Sequence, residues 1–295
     1  MQKKCQLSND LKDLSTAFIN NDQAALGFHN LTYGEVHTVV DSTNTRLRDL
    51  IESKIIQLAG GDSSNSLALI IADQQTAGRG RLAKPWISPA GDNIYASWGF
   101  CLPGSRSLEG LSLVVGLALV TTAQTFGLSY GAIKWPNDLV IPGGPNNYLK
   151  IGGILIETHR TPEYWGIILG VGVNLNMGFN KRDKQDQTDI DIDQPWSSIA
   201  LEIGSLVKRV EFIRCLHERI CLYFAKFHSY GWLAFKTDWQ ECDYFLGKIV
   251  QVCNHTGQIE FTGKALGVNH LGQLRVLDKD SNIQTVNSGE VRLSP

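Results

Sequence analysis

The 295-residue chain is 43% hydrophobic and 19% charged, with a formal net charge of -2. Such a composition supplies a core and excludes general disorder, and its near-neutral balance excludes a global basic field for nucleic acid or anionic lipid. The length suits one large domain with a small one beside it.

Residues 1–33 are polar, and only a short helix is expected there, around Leu7–Ile19. The opening MQKKCQLSNDLKDL has no apolar run of the kind a signal peptide needs. DSTNTRLRDLIESKIIQLAGG reads as a capped helix. Ser42 or Thr43 would accept the first free N–H groups. Leu47, Leu50, Ile51, Ile55 and Leu58 would form its apolar stripe, and Gly60-Gly61 would end it.

Strands are expected at Leu67–Ala72, Asn93–Leu102 and Tyr164–Asn176, and a helix at Leu108–Phe126. LSLVVGLALVTTA inside that helix falls short of the roughly 20 apolar residues of a membrane span. AIKW and LVI flank a Pro136-Asn137-Asp138 turn, and GGPNN breaks the chain before the strand YLKIGGILIE. The acidic segment NKRDKQDQTDIDIDQP reads as a solvated excursion. Ser205–Phe227 repeats Leu206, Val210, Ile213, Leu216, Ile220 and Phe224 at helical spacing. From about Phe245 the chain turns to short β-rich runs punctuated by Gly, Asn and Asp, which predicts a small separate barrel.

Six scattered cysteines form no CxxC pair, so buried or surface thiols in a reducing cytoplasm are expected rather than a disulfide framework or zinc site. The seven histidines are dispersed as well. The chain has no GxSxG, HExxH or Walker-type motif, and no acid–base pair or nucleophile stands out. Cations, amides and glycines remain, a set suited to electrostatic catalysis on a phosphoanhydride.

Three segments carry that chemistry. In ADQQTAGRGRLAKPW, Arg79 and Arg81 flank Gly80 just after a strand. Glycine lets backbone N–H groups approach a ligand, and arginine offers a planar fork for carboxylate or phosphate. A solvated loop is the plainer reading. In IKWPNDLV, Lys134, Trp135, Asn137 and Asp138 gather a cation, a ring, an amide and a carboxylate, as a metal-bound nucleotide needs. An ordinary turn has the same residue types. In LKIGGILIE, Lys150 precedes paired glycines within an apolar strand, so it needs an anionic partner or a place at the strand's mouth. GVGVN repeats the theme and ends at Asn174.

Taken in order, DSTN, QQTAGRGR…W, KWPND, KIGGILIE, GVGVN and the terminal SGEVRL resemble the biotin protein ligase family, from about Val36 to the end. The resemblance implies a mixed α/β domain, a class II synthetase-like mixed sheet flanked by helices, followed by a small SH3-like β-barrel. It implies an N-terminal extension at 1–33, a catalytic domain at 34–244 and the SH3-like domain at 245–295. The implied activity condenses biotin with ATP and Mg2+ to biotinyl-5′-AMP, then passes biotin to a lysine of a biotin carboxyl carrier protein, an acetyl-CoA carboxylase subunit or similar. Carried over residue by residue, Ser42, Thr43, Asn44 and Gln75 fall near the biotin rings. Arg79, Gly80 and Arg81 fall on the adenylate loop, and Lys150 beside the biotin carboxylate and acyl phosphate. Trp86, Lys134, Asn137, Asp138 and Asn174 fall on the nucleotide side, Asp138 being the candidate aid to magnesium.

On that reading Arg79, Arg81 and Lys150 offset the repulsion between carboxylate and α-phosphate, and the loop excludes water from a labile anhydride. The sequence departs from the family at Ala83 and Lys84, where many members carry Gly and Arg. The segment ahead of the catalytic domain is shorter than a winged helix, so a ligase without repressor function, nucleic acid or membrane is expected. Family members often dimerise, and a sheet edge near GVGVN would serve a homodimer or carrier docking by strand addition. A lipoate ligase or octanoyl transferase of the same superfamily, a biotin-sensing nucleic-acid regulator and a passive biotin-binding module are the alternatives.

Overall fold

The computed structural model describes residues 9–19, 31–56, 67–144, 147–179, 194–254 and 256–294. Helices are α1 (Asn9–Ile19), α2 (Thr43–Glu52), α3 (Leu111–Thr125), α4 (Ile199–Ile203), α5 (Arg209–Tyr230) and α6 (Lys236–Glu241). Strands β1 (Tyr33–Val40), β2 (Ala68–Gln75), β3 (Ile94–Pro103), β4 (Ala132–Lys134), β5 (Asp138–Pro142), β6 (Tyr148–Arg160) and β7 (Tyr164–Val173) form a sheet ordered β1-β2-β3-β7-β6-β5-β4. Strands β8 (Ile249–Cys253), β9 (Ile259–Val268), β10 (Leu274–Asp278), β11 (Ile283–Val286) and β12 (Glu290–Leu293) form a second, ordered β11-β10-β9-β8-β12. The β1–β2 pair is parallel, whereas β2–β3, β3–β7 and β6–β7 are antiparallel, so the larger sheet is mixed.

The described residues fall into two compact units. The first takes residues up to Arg106, the stretch beginning at Ile151, and Ser197–Cys221; the second takes Ser107–Lys150, Gln194–Trp196 and Leu222 onward. Strand β6 therefore contributes to both.

In the first unit, register decides what each sheet face carries. Ser97 lies opposite Ile70 on one side and Gly170 on the other, and Gly170 faces Leu155. Directly opposite residues share a face. Helix α2 packs on that face, Leu47 and Leu50, with Ile56 beyond the helix end, meeting Ala68, Ile70 and Ile168. On the other face, Trp98 donates its indole N–H to His217 Nδ1 on α5 at 3.2 Å. There the Arg209 guanidinium meets Asp73 at 2.6 Å, both almost fully buried.

Helix α2 differs from expectation at both ends. Ser42 occupies the N-cap, yet its side chain makes no capping bond. The Thr43 N–H is met instead by Gln75 Oε1 at 2.9 Å. At the far end the helix stops at Glu52, because Lys54 turns left-handed at φ 59°. Lys54 N–H then bonds to Ile51 O at 3.1 Å and Ile55 N–H to Leu50 O at 3.0 Å, a Schellman closure. Ile55 is consequently 63% exposed and not on the stripe. Leu58, Gly60 and Gly61 lie outside the described residues, as does most of the acidic segment.

Two further expectations change. β7 lies between β3 and β6, so GVGVN is not at an edge, and β1 and β4 flank the sheet instead. Helix α5 starts at Arg209, leaving Leu206 outside it and 54% exposed.

In the second unit, α3 is apolar and buried at every position from Leu113 to Val120. The β8–β9, β9–β10 and β10–β11 turns share one construction. Asn254, Asn269 and Asp278 each accept, through Oδ1, the backbone N–H groups two and four residues ahead. The residue three ahead is left-handed in each: Gly257 (φ 83°), Gly272 (φ 74°) and Ser281 (φ 63°). Asn and Asp favour turns for this reason, since the side chain stands in for a backbone acceptor.

Candidate functional site

In the first unit, DSTN, the glycine–arginine loop and GVGVN meet over one sheet face. The Asn44 amide lies on Gly170, where a Cβ would stand 2.3 Å from Asn44 Oδ1. The Trp86 indole lies on Gly172, where a Cβ would stand 2.7 Å from the ring. Both glycines of GVGVN are thus required by a close approach rather than by strand formation.

A chain of hydrogen bonds fixes this floor. Ser97 Oγ is 2.6 Å from Asn44 Oδ1 and 2.7 Å from Thr43 Oγ1. With one hydroxyl proton, Ser97 donates to the amide oxygen, which only accepts, and takes the Thr43 proton. Asn44 Nδ2 donates to Glu157 Oε2 at 2.8 Å. Gln75 Nε2 donates to Ser88 Oγ at 3.0 Å, and Ser88 donates to Trp86 O at 2.9 Å. Ser42, Thr43 and Asn44 are all buried.

The glycine–arginine loop folds back on itself. Gly80 N–H bonds to Lys84 O at 2.7 Å and Trp86 N–H to Gly78 O at 2.9 Å. Leu82 and Ala83 are both left-handed, at φ 54° and 56°, and Leu82 is 67% exposed. Arg79 donates to Thr45 Oγ1 at 3.0 Å and stands 3.7 Å from Glu157. Arg81 begins the tight turn that Lys84 N–H closes at 3.1 Å.

Asn174 also belongs to this unit. It donates from Nδ2 to Ser197 O at 3.1 Å, while its own carbonyl takes the Ile199 N–H at 3.0 Å.

The second unit brings together Lys134, Asn137, Asp138 and Lys150, all buried or nearly so. Asp138 is the first residue of β5, opposite Lys134, so the turn proper is Trp135-Pro136-Asn137. Ser112 holds that turn by donating to Pro136 O at 2.9 Å, and Trp135 Nε1 donates to Gly272 O at 3.0 Å. The Lys150 ammonium pairs with Asp138 Oδ1 at 2.8 Å, which supplies the anionic partner the strand lysine requires. The Lys134 ammonium sits 5.3 Å over the Tyr148 ring and 5.6 Å over the Phe245 ring. Burial pushes the Tyr148 phenol up to about 12, so it stays protonated beside the cation.

The sequence reading missed Ser97, Ser88 and Glu157, which orient the residues it did select. Glu157 carried a signal, as the one acid that closes the apolar run KIGGILIE. Ser97 and Ser88 carried none, because the role of Ser97 depends on register across strands and that of Ser88 on how the loop returns to Gln75.

Cys101, Cys215, Cys221, Cys242 and Cys253 are free. Trp98 donates to His217 Nδ1, so Nε2 carries the ring proton toward Cys221 Sγ, 3.7 Å away. Burial pushes that thiol up to about 12, so no thiolate forms. Among the described residues no helix is long and apolar enough to cross a membrane.

Comparison with known proteins places this arrangement in a class. Residues 36–174 match the Biotin/lipoate A/B protein ligase family, and residues 245–294 match the Biotin protein ligase C terminal domain. The second sheet is therefore the SH3-like element of that architecture. The chain is 30% identical to the bifunctional ligase/repressor BirA of Escherichia coli over 257 residues, covering 86% of this chain and 72% of that protein. It is 30% identical to the biotin–[acetyl-CoA-carboxylase] ligase of Paracoccus denitrificans, covering 82% of this chain and 96% of that one. In structure it is similar to the biotin protein ligase of Aquifex aeolicus in complex with biotin and ATP, with a TM-score of 0.68 at 26% identity over 90% of this chain and all of that one. The chain belongs to the biotin protein ligase family.

Proposed function

We propose that this chain activates biotin with ATP and then biotinylates a carrier protein. A biotin carboxylate oxygen attacks the α-phosphorus, pyrophosphate leaves, and biotinyl-5′-AMP remains bound. The ε-amine of an acceptor lysine then attacks the acyl carbon, AMP leaves, and the nitrogen loses a proton as the amide forms. The observation that carries this reading is the GVGVN strand, whose two glycines accommodate Asn44 of DSTN and Trp86 of the loop.

Each residue has a part in that chemistry. Ser42, Thr43, Asn44 and Gln75 form the polar floor for the biotin ring system. Arg79, Gly80 and Arg81 close on the adenylate, whose anionic oxygens suit guanidinium forks. Lys150 neutralises the carboxylate and phosphate as they approach, and Trp86, Lys134, Asn137, Asp138 and Asn174 hold the nucleotide. Residues 34–244 serve as the catalytic domain and 245–295 as the SH3-like domain.

Magnesium would supply charge neutralisation on the phosphates. It takes one or two carboxylates alongside substrate phosphates, and Asp138 provides one. Among the described residues no group of three or more His, Cys, Asp or Glu could hold a metal by itself. That donor set fits an ion carried in on the nucleotide.

The acceptor would be a biotin carboxyl carrier protein, a subunit of acetyl-CoA carboxylase or of a similar biotin-dependent carboxylase. A carrier strand or a second copy would add at β1, since β7 has neighbours on both sides and Ile133 of β4 already exchanges backbone hydrogen bonds with Cys242 and Tyr244. The test is transfer of labelled biotin to a purified carrier with ATP and magnesium. Incorporation at the carrier lysine supports the reading. A carrier that takes up lipoate or octanoate instead would overturn the substrate.

A further inference from the structure

KIGGILIE ends in an acid that the proposed chemistry leaves without a part. Glu157 lies on β6 opposite Ile168 of β7, on the sheet face under α2. One oxygen, Oε2, accepts from the Asn44 amide at 2.8 Å. The other, Oε1, accepts from Arg48 at 2.5 Å and stands 3.7 Å from Arg79. The same guanidinium nitrogen, Arg79 Nη2, donates to Thr45 Oγ1 on α2 at 3.0 Å.

A carboxylate accepts only, so it dictates which end of the Asn44 amide faces it. The amide nitrogen turns to Glu157, and the oxygen then faces the Ser97 hydroxyl 2.6 Å away. That hydroxyl in turn takes the Thr43 proton. The orientation of the Asn44–Ser97–Thr43 hydrogen bonds therefore starts at Glu157, while Gln75 is oriented by the Thr43 backbone N–H. The same carboxylate offers charge to a guanidinium of the glycine–arginine loop, whose backbone closes onto itself between Gly78 and Trp86 and is tied at Ala77 to Asp41 O at 2.8 Å.

We propose that Glu157 is a positioning residue with two tasks, orienting the Asn44 amide for biotin and docking the loop through Arg79. The first task rests on the functional reading above; the second does not. The two oxygens separate them. Glutamine at this position keeps an acceptor for Asn44 but loses the charge that draws Arg79, while alanine loses both.

The experiment compares Glu157→Gln, Glu157→Ala and Thr45→Val in the full-length protein. Trypsin cleavage after Arg79 and Arg81, without ligand, reads the loop. A partly exposed ion pair of this kind changes such a rate by about two- to fivefold. Glu157→Gln is expected to be cut that much faster at an unchanged melting temperature. Thr45 is only half-buried and Thr45→Val keeps its shape, so this variant is expected to fold and to act in the same direction. Equal cleavage in both variants and the parent would overturn the docking task.

Biotin KM and kcat in ATP–pyrophosphate exchange read the other task. Loss of a charge-assisted hydrogen bond is expected to raise the biotin KM about tenfold in Glu157→Ala. Glu157→Gln is expected to stay within about twofold, with kcat moving less than KM in both. A KM unchanged in Glu157→Ala, or raised equally in both, would overturn the orienting task. If the parent protein shows no exchange with biotin, the functional reading fails and the orienting task with it, while the trypsin comparison still decides the docking task.

Discussion

The Lys150 ammonium lies 2.8 Å from the Asp138 carboxylate, and both side chains are largely shielded from water. A lysine in an apolar strand is thereby neutralised before any substrate arrives. Removing either partner strands the other charge in a shielded place, which costs more than the pair itself contributes.

Lys150→Ala is expected to lower pyrophosphate exchange by two to three orders of magnitude, roughly the effect of losing one electrostatic stabiliser, with a smaller change in ATP binding. Asp138→Asn should lower exchange as well. Residues that act as a unit are not additive, so the double variant should fall within about threefold of Lys150→Ala. Multiplication of the two single losses would show that the pair does not work together.

Arg81 opens the tight turn that Lys84 closes, within a segment whose outermost residue, Leu82, is 67% exposed. Arg81→Ala should leave adenylate formation within about tenfold but release the adenylate into solution faster, since a lost anion contact shows mainly in the off-rate. Adenylate lifetime, followed by chasing with unlabelled biotin, checks this. An unchanged lifetime would remove Arg81 from the site.

The glycines of GVGVN make a crossed test. A Cβ at Gly170 would press on Asn44, and one at Gly172 would press on Trp86. Gly170→Ala should therefore raise the KM for biotin more than that for ATP, and Gly172→Ala the reverse. Steady-state kinetics on both substrates settle it. Equal effects on both constants would mean that Asn44 and Trp86 do not divide the substrates as assigned.

These close approaches also show what the sequence could and could not convey. The strands at Leu67–Ala72 and Asn93–Leu102 were legible because apolar runs ended at turn residues. DSTN, GRGR and KWPND were legible because unusual residue types cluster there. The length of α2 was not: periodicity continued to Leu58, but Lys54 entered the left-handed region and closed the helix at Glu52. The central place of β7 was not legible either, since strand order is set by pairings far apart in the chain. Ser97 stayed silent for the same reason.

Stability should depend on pH through Asp243. Burial pushes this carboxyl up from 3.8 to about 6, against backbone hydrogen bonds from Phe245 and Leu246 and the nearby Lys248 charge. The unfolded chain releases the proton near 3.8 and the folded chain near 6. Between those values the folded state holds a proton the unfolded state lacks, so stability falls as pH rises through the window. Above it the cost is on the order of 2–3 kcal/mol. Asp243→Asn should match the parent below the window and gain relative stability above it, as read by urea unfolding at several pH values. Parallel profiles would contradict the assignment.

The central claim is that this chain joins biotin to AMP. ATP–pyrophosphate exchange with the purified protein and magnesium, in the separate presence of biotin, lipoate or octanoate, addresses it most directly. Exchange that depends on biotin, and not on the other two acids, is the result expected. Exchange driven by lipoate or octanoate, or none with any acid, would contradict it.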